Sequence, residues 1–164
     1  KYFMAVNVSG MQLFVEGFVE EVLAVLAEND LAPEQLELEI TESILLSHER
    51  STIQKLNTLF AHGVRIALDD FGTGFSSLSL LKALRITTLK IDKSFVQDGK
   101  NTALLEMMVR LGHILGTQTV AEGVETEEQL HQARRLGSER VQGYFTARPM
   151  PLSALKWFIE AHTE

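Results

Sequence analysis

The sequence contains no cysteine and no long apolar run among its 164 residues. Without cysteine, the chain can form neither a disulfide framework nor a thiolate metal site, and we expect a cytoplasmic protein. Its apolar runs stay well below the roughly 18 residues that a membrane-spanning helix needs. A tether to the inner membrane would therefore have to lie in segments outside this sequence.

Positive charge is also scarce. Lysine and arginine number 15 against 22 aspartates and glutamates, which gives a formal net charge of −7. The mean electrostatic field of such a chain repels phosphate polymers and anionic lipids, so we expect no nucleic acid polymer among its partners. A phosphate-containing ligand would need a local reversal of charge.

What the sequence does contain is a regular alternation of short strand candidates and amphipathic stretches. The strand candidates are Met4–Ser9, Leu36–Thr41, Val64–Asp70, Thr87–Asp92, Thr119–Glu122 and Arg140–Phe145. This alternation predicts an α/β fold with a parallel sheet, either a barrel or a doubly wound sheet. Since no linker interrupts the rhythm, we expect a single domain over residues 1–164.

The stretches between the strands carry the usual signals of helices. Gly63, Gly116 and Gly137 follow three of them, at the position where a left-handed residue ends a helix. Thr126 followed by Gln129 predicts a capping box that opens the helix ending near residue 136. One apolar stripe with helical spacing is expected to face the core; it consists of Leu104, Met107, Met108, Leu111 and Leu115.

Polar side chains recur near the ends of the predicted strands, 20 to 32 residues apart. They are Asn7, Glu39, Asp69, Lys90, Glu122 and Gln142. Because successive side chains of a strand point to opposite faces, each lies opposite an apolar face that can meet helices. A closed barrel explains the pattern, since its strand ends converge on one mouth where active sites form. The alternative is that these residues are solvated strand ends or ion pairs.

Such a mouth would gather many carboxylates. They are Glu39, Asp69, Asp70, Asp92, Glu122 and, nearby, Glu125. Closely packed carboxylates either take up protons or bind cations. Oxygen ligands without histidine or cysteine favour Mg²⁺ or Mn²⁺. The adjacent Asp69 and Asp70 could serve two ions, the arrangement that supports in-line attack on phosphodiesters.

Lys90 in this setting has three possible roles. It could orient or activate the attacking water, neutralise charge that develops on phosphorus, or form a structural pair with Asp92. The following loop segment Gly72-Thr73-Gly74 predicts a tight turn with exposed N–H groups, which is weak evidence for a phosphate site. The five histidines show no ligand spacing, and we expect no metal or catalytic role for them.

Six motifs stand in a fixed order along the chain. They are Asn7-Val8-Ser9, Glu39-Ile40-Thr41-Glu42, Asp69-Asp70-Phe71-Gly72-Thr73-Gly74, Lys90-Ile91-Asp92, Ala121-Glu122-Gly123-Val124-Glu125 and Gln142-Gly143-Tyr144. In order and spacing they resemble the EAL domain family. The resemblance implies a modified (β/α)₈ barrel of the TIM type, of which about six of eight βα units are present. It also implies hydrolysis of cyclic di-GMP to linear pGpG by a site that binds two divalent cations, either Mg²⁺ or Mn²⁺.

The resemblance further implies roles for individual residues. The implied metal ligands are Asn7, Glu39, Asp69, Asp70 and Glu122. Lys90 would contact the metal-bound water, with Asp92 close by. Glu122 would bind metal or act as general base, and Gln142 would help to hold the water.

A second implied group lies around the loop after Asp70. Glu42 would anchor this loop, which runs to Phe75 and in this family couples the site to the interface of a homodimer. The loop and ligand group comprises Glu42, Gly72, Thr73, Gly74, Glu125 and Arg148.

One departure from the family pattern bears on function. No Glu-Ala-Leu occurs, and the chain opens at what corresponds to the third strand, so we expect an N-terminally truncated barrel domain. The glutamate of that motif is another metal ligand in the family. An inactive receptor for cyclic di-GMP, or a protein-interaction module, is therefore the alternative to a phosphodiesterase. An upstream sensory or diguanylate-cyclase-like domain would be in keeping with either.

Overall fold

The structure, a computed structural model, describes residues 2–47, 49–74, 78–98 and 102–162. In these ranges the strands are β1 (Met4–Asn7), β2 (Leu36–Thr41), β3 (Arg65–Phe71), β4 (Thr88–Ile91), β5 (Gln118–Ala121) and β6 (Arg140–Val141). The helices are α1 (Gly10–Phe14), α2 (Phe18–Glu28), α3 (Glu42–Ser47), α4 (Glu49–Ala61), α5 (Leu78–Ala83), α6 (Lys93–Gln97), α7 (Thr102–Leu115), α8 (Glu127–Leu136) and α9 (Leu152–His162). His48 and part of the loop predicted after Asp70, residues 75–77, lie outside the described residues. Every helix in these ranges falls short of the length or apolar character that a bilayer span requires.

The strands form one parallel sheet whose spatial order follows the chain from β1 to β6. A doubly wound sheet would instead depart from chain order at a switch point. Phe3, just before β1, lies under the guanidinium groups of both Arg65 in β3 and Arg140 in β6, at 4.4 and 5.0 Å from its ring centroid. The two ends of the sheet therefore approach each other across its concave side, as the barrel prediction requires.

The convex face of the sheet packs against the helices and forms the core. Its fully or nearly fully buried strand residues are Leu38, Ile40, Ile66, Leu68, Leu89 and Ile91, which meet helix residues such as Leu26, Leu56, Leu59, Leu105 and Val109. Burial of each such side chain stabilises the fold by about 1.5–3 kcal/mol. This packing leaves the alternate strand residues to face inward.

Several predicted local features are confirmed, and some boundaries were wrong. Gly63, Gly116 and Gly137 all adopt left-handed backbone angles, and the Thr126 capping box is formed. Strand β6 ends at Val141 and not at residue 145, because residues 143–146 form a turn closed on the carbonyl of Gly143.

The predicted core face of α7 was partly wrong. Its buried residues are Leu105, Met108, Val109 and Gly112, whereas Leu104 and Met107 are exposed. At Gly112, an added Cβ would overlap Thr119 of β5. Because of this close approach, α7 packs on the sheet with a different face from the one that the apolar stripe predicted. Because the apolar residues of α7 extend well beyond its buried face, periodicity alone did not determine which face is buried.

Glu37 anchors the end of the barrel opposite to the strand carboxyl ends. Its Oε2 accepts hydrogen bonds from Arg65 Nε at 3.1 Å, Thr88 Oγ1 at 2.7 Å and Thr87 Oγ1 at 3.3 Å. The side chain is almost completely buried. A buried carboxylate with this many donors is stabilising only while its partners remain in place.

We therefore expect Glu37→Gln to lower the free energy of unfolding by roughly 2 kcal/mol. The amide loses the charge-assisted bond to Arg65 and turns an N–H₂ group toward donors. Thermal unfolding followed by circular dichroism measures the loss. The matched control is Glu127→Gln on α8, whose side chain is 75% exposed and pairs with His131. Equal losses in the two variants would contradict the assignment.

Glu139, between α8 and β6, joins three elements. Its Oε2 accepts hydrogen bonds from the backbone N and the Oγ1 of Thr119 at 2.8 and 2.6 Å, and its Oε1 lies 3.0 Å from His113 Nε2 of α7. Burial would raise the pKa of Glu139, but the bonds from Thr119 and the nearby His113 outweigh it and lower the pKa. Thr119 itself is fully buried.

The lowered pKa of Glu139 predicts a pH-dependent contribution to folding. A carboxyl group of this kind stabilises the fold above its ordinary pKa, and the contribution is lost as pH falls through the lowered value. Glu139→Gln should reduce the unfolding temperature at pH 7, while wild type and variant should converge toward pH 3. Glu160→Gln, on the exposed face of α9, serves as the control. A difference that persists unchanged in acid would refute this account.

Candidate active site

Lys90 lies at the centre of the inward-facing charges. Its Nζ is 3.0 Å from Glu39 Oε2, 3.0 Å from Asp69 Oδ1 and 2.9 Å from Glu122 Oε1. Glu39 lies in β2 and Asp69 in β3, and Glu122 directly follows β5, while Lys90 belongs to β4. Lys90 is only 4% exposed. The structure thus brings four of the predicted strand-end residues together, and it does so as a network of ion pairs.

This environment fixes the charge of Lys90. Burial alone would lower the pKa of its ammonium, but the hydrogen bonds and charge of Glu122, with Asp69 and Glu39, outweigh burial and raise the pKa above its ordinary value. A group with such a pKa stays protonated at neutral pH. Lys90 can therefore compensate negative charge, while its predicted roles toward the attacking water and the phosphorus stay predictions.

Asp70 reaches the same site through an irregularity in the sheet. Neighbouring strand residues point to opposite faces, so Asp69 and Asp70 would normally diverge. Here the register between β3 and β4 shifts between Leu68 and Phe71, and Asp70 takes a left-handed φ of 53°. Such a β-bulge re-aims a side chain. A strained conformation at a non-glycine residue is typical of functional sites.

The bulge produces a set of carboxylates that fits a cation. Asp69, Asp70 and Glu122 each offer one oxygen, and these oxygens lie within 4.8 Å of one another. Burial, followed by the charges of Asp69 and Asp92, raises the pKa of Asp70, and burial is also the main cause of the raised pKa of Glu122. Both shifts report carboxylates that lack sufficient compensating charge. An all-oxygen donor set of this kind suits Mg²⁺ or Mn²⁺.

The loop after Asp70 is tied down by Glu42, at the start of α3. Glu42 Oε2 accepts hydrogen bonds from the backbone N–H groups of Gly72 and Gly74 at 3.4 and 3.2 Å, and Thr73 Oγ1 donates to the carbonyl of Asp70. The N–H groups of the two glycines are thus directed to a carboxylate. The predicted tight turn is confirmed by the bond from Thr73 N to the carbonyl of Asp70, but its glycine N–H groups are not exposed, because buried Glu42 accepts from both.

The glycines of this loop pack closely against neighbouring side chains, and Gly72 also adopts a left-handed φ of 100°. An added Cβ at Gly74 would lie 2.8 Å from the Glu42 carboxyl carbon, and one at Gly72 would lie 2.5 Å from Met108 Cε and 2.8 Å from Phe95. The loop therefore rests directly on α6 and α7.

Four predicted site residues lie at the rim. Asn7 pairs in register with Glu39 at the exposed end of β1, and Gln142 is exposed just after β6. Asp92 caps α6, since its Oδ1 accepts hydrogen bonds from Ser94 N at 3.0 Å and from Ser94 Oγ. It is not an ion-pair partner of Lys90 in the described part of the chain, so the structural Lys90–Asp92 pair is not formed. Arg148 stacks over the ring of Tyr144 at 4.5 Å.

A cavity of about 460 Å³ opens beside the carboxylates. It is lined by Asp70, Asp92, Lys93, Gln97, Glu122, Gly123, Glu125, Gln142, Gly143 and Tyr144. Lys93 and Gln97 were not predicted from the sequence, and Tyr144 stood in a motif without an assigned role. Lys93 and Gln97 are four residues apart on α6, directly after Asp92, and this spacing on one helix face was the available signal.

Comparison with known proteins gives a consistent result. A family model described as the EAL domain matches residues 1–149. The bifunctional diguanylate cyclase/cyclic di-GMP phosphodiesterase MucR of Pseudomonas aeruginosa is 42% identical over 156 residues, which are 93% of this chain and 23% of that protein. The chain spans about a fifth of the length of the curated relatives that it matches.

Solved structures agree with this family match. The MucR phosphodiesterase in complex with cyclic di-GMP has a TM-score of 0.88 at 41% identity, with coverage of 93% of this chain and 64% of that one. The EAL domain of Mycobacterium smegmatis DcpA has a TM-score of 0.91 at 40% identity, with coverage of 97% and 73%. A manganese and cyclic di-GMP complex of Klebsiella pneumoniae BlrP1 has a TM-score of 0.82 at 32% identity, with coverage of 90% and 39%.

The Lys90 network predicts the effect of removing its ammonium. Lys90→Met should lower the free energy of unfolding by roughly 3 kcal/mol at pH 7 in the presence of a chelator, because buried carboxylates lose their counter-ion. Lys90 lowers the pKa of Glu122, so its removal raises that pKa further. A carboxyl group whose pKa is raised in the folded state destabilises the fold increasingly as pH rises through that pKa. The stability deficit of Lys90→Met should therefore shrink as pH falls toward 5.

The matched control is Lys93→Met, three residues along at the exposed start of α6. It should change the unfolding temperature little at either pH. A Lys90→Met deficit that grows on acidification would overturn the proposed electrostatic origin.

Proposed function

The chain belongs to the EAL domain family, and we propose that it forms the phosphodiesterase site of a larger bacterial signalling protein that hydrolyses cyclic di-GMP to linear pGpG. The observation that carries the proposal is the cluster of Asp69, Asp70 and Glu122 around the buried ammonium of Lys90. Its relatives support the proposal, since MucR is a bifunctional diguanylate cyclase/cyclic di-GMP phosphodiesterase whose phosphodiesterase structure is known in complex with cyclic di-GMP.

The donor set supports binding of two Mg²⁺ or Mn²⁺ ions. Asp69, Asp70 and Glu122 would hold them, together with Asn7 and Glu39 at neighbouring strand ends. A divalent cation bound there would lower the pKa of a water molecule and neutralise the phosphodiester charge. It would also solve the problem posed by a net charge of −7, because an acidic mouth otherwise repels the substrate.

The chain's own residues would divide the remaining tasks. Lys90 supplies a permanent positive charge beside the acids and stabilises negative charge that develops on the phosphoryl oxygens. Glu122 lies among the same oxygens and would either bind a cation or accept a proton from the attacking water. Gln142, at the cavity rim, offers an amide that can orient this water. Asp92 acts through α6, which it caps.

The cavity is suited to a small-molecule substrate. Its volume of about 460 Å³ lies in the range of ligand pockets, and its rim carries Lys93 and the Tyr144–Arg148 stack beside the acids. A cation and an aromatic ring at the edge of a cation-loaded mouth match a ligand with phosphates and bases.

Three wider features belong to the same proposal. The whole protein would carry a sensory or diguanylate-cyclase-like domain upstream, and would act in the cytoplasm. It would form a homodimer through the loop that follows Asp70. Glu42, which holds Gly72 and Gly74 of that loop, would couple the dimer interface to the acids.

The experiment uses the full-length protein, cyclic di-GMP and either Mg²⁺ or Mn²⁺. Wild type should release pGpG, and a chelator should stop the reaction. Glu122→Gln should lower kcat by roughly 10²–10⁴-fold, because the amide cannot accept the proton. Chromatography of the nucleotides measures both effects.

Glu127→Gln on the exposed face of α8 is the control and should leave kcat unchanged. Calorimetric binding of cyclic di-GMP without any product would favour the receptor alternative. A protein that neither binds nor cleaves cyclic di-GMP would refute the proposal.

A further inference from the structure

Gln97, the last residue of α6, reaches across to the loop that follows Glu122. Its Nε2 lies 3.2 Å from the carbonyl oxygen of Gly123 and 3.3 Å from Glu125 Oε1, and it donates to both. One side-chain amide therefore binds the backbone and a carboxylate of the same loop.

The loop is held against α6 by close packing. Gly123 adopts a left-handed φ of 65°, and an added Cβ there would overlap Lys93 Cβ and lie 3.2 Å from Gln97 Nε2. Only a glycine lets the loop approach this closely. The short distance is what allows the amide of Gln97 to span both acceptors.

The other ties of this loop hold its backbone. Val124 N donates to the carbonyl of Gln142, and Glu125 N donates to Gln129 Oε1 at 2.7 Å. Among the described residues, the side chain of Glu125 receives its hydrogen bond from Gln97. Glu125 is otherwise exposed, and a free glutamate samples many rotamers in solvent.

We propose that Gln97 is a positioning residue that directs the Glu125 carboxylate into the cavity lined by Asp70 and Glu122. The proposal rests on the proposed function, since it assigns Glu125 a place beside the substrate of that site. Both Gln97 and Glu125 line the cavity, so the bond between them forms part of its wall. Asp92, which caps α6 at the other end, fixes the helix that carries Gln97.

The test is a double-mutant cycle on the full-length protein, with Gln97→Leu, Glu125→Ala and the double variant. Hydrolysis of cyclic di-GMP in Mg²⁺ is measured as kcat and KM. Gln97→Leu should lower kcat/KM about tenfold, because a misdirected group loses its contribution to a preorganised site. In the Glu125→Ala background it should cause no further loss, since the interaction is already absent.

Two further variants separate positioning from a structural effect. Gln97→Lys keeps an N–H donor and should recover most of the lost kcat/KM. Gln132→Leu removes a comparable amide bond, from α8 to Thr102 Oγ1 on α7 at 2.9 Å, outside the cavity. It should leave kcat/KM unchanged.

The outcomes distinguish this inference from the proposed function. Losses that multiply independently in the double variant would overturn the role of Gln97 while wild-type turnover stands. The role of Gln97 would also be overturned if Gln132→Leu lowered kcat/KM as much as Gln97→Leu does. If wild type binds cyclic di-GMP without cleaving it, the cycle is read on the dissociation constant and the same two criteria apply. A wild type that neither binds nor cleaves refutes both.

Discussion

The inward face of the sheet depends on one ammonium group that balances three acids. Glu39, Asp69 and Glu122 come from three strands, and each would be costly to bury without a counter-ion. Lys90 holds all three within 3.0 Å. The network therefore serves the fold as well as the site, because it ties four parallel strands together at their carboxyl ends. The same contacts therefore form the polar mouth and stabilise the sheet.

The two ends of the barrel use similar residues for different purposes. Glu37 and Glu39 share one face of β2, yet Glu37 meets Arg65 and two threonine hydroxyls, whereas Glu39 meets Lys90. The Glu37 carboxylate accepts these three hydrogen bonds through its Oε2. Around Lys90, by contrast, burial and like charges raise the pKa values of Asp70 and Glu122. Glu37 therefore serves the fold, whereas the carboxylates around Lys90 remain short of compensating charge.

The alternation of side chains along each strand and the spacing of the polar residues were sufficient to predict most of the inward-facing charges. The period of two in β2 predicted that Glu39 faces inward, and the strand-end positions predicted that it meets Asp69, Lys90 and Glu122. The inward aim of Asp70 was not predictable from alternation, because a bulge and a left-handed φ reverse it. The buried face of α7 depended on the contact between Gly112 and β5, which periodicity does not contain. The cap formed by Asp92 and the bonds of Gln97 arise from tertiary placement of α6.

The contact of Phe3 with Arg65 and Arg140 has a consequence for how the chain folds. These residues lie near the start, the middle and the end of the sequence, and they meet under the sheet. Contacts between residues so distant along the chain require the loss of much loop entropy before they stabilise anything. On a ribosome, the helices and the first strand pairs can form while synthesis continues. The contact between Phe3 and Arg140 can therefore form only after β6 has been synthesised.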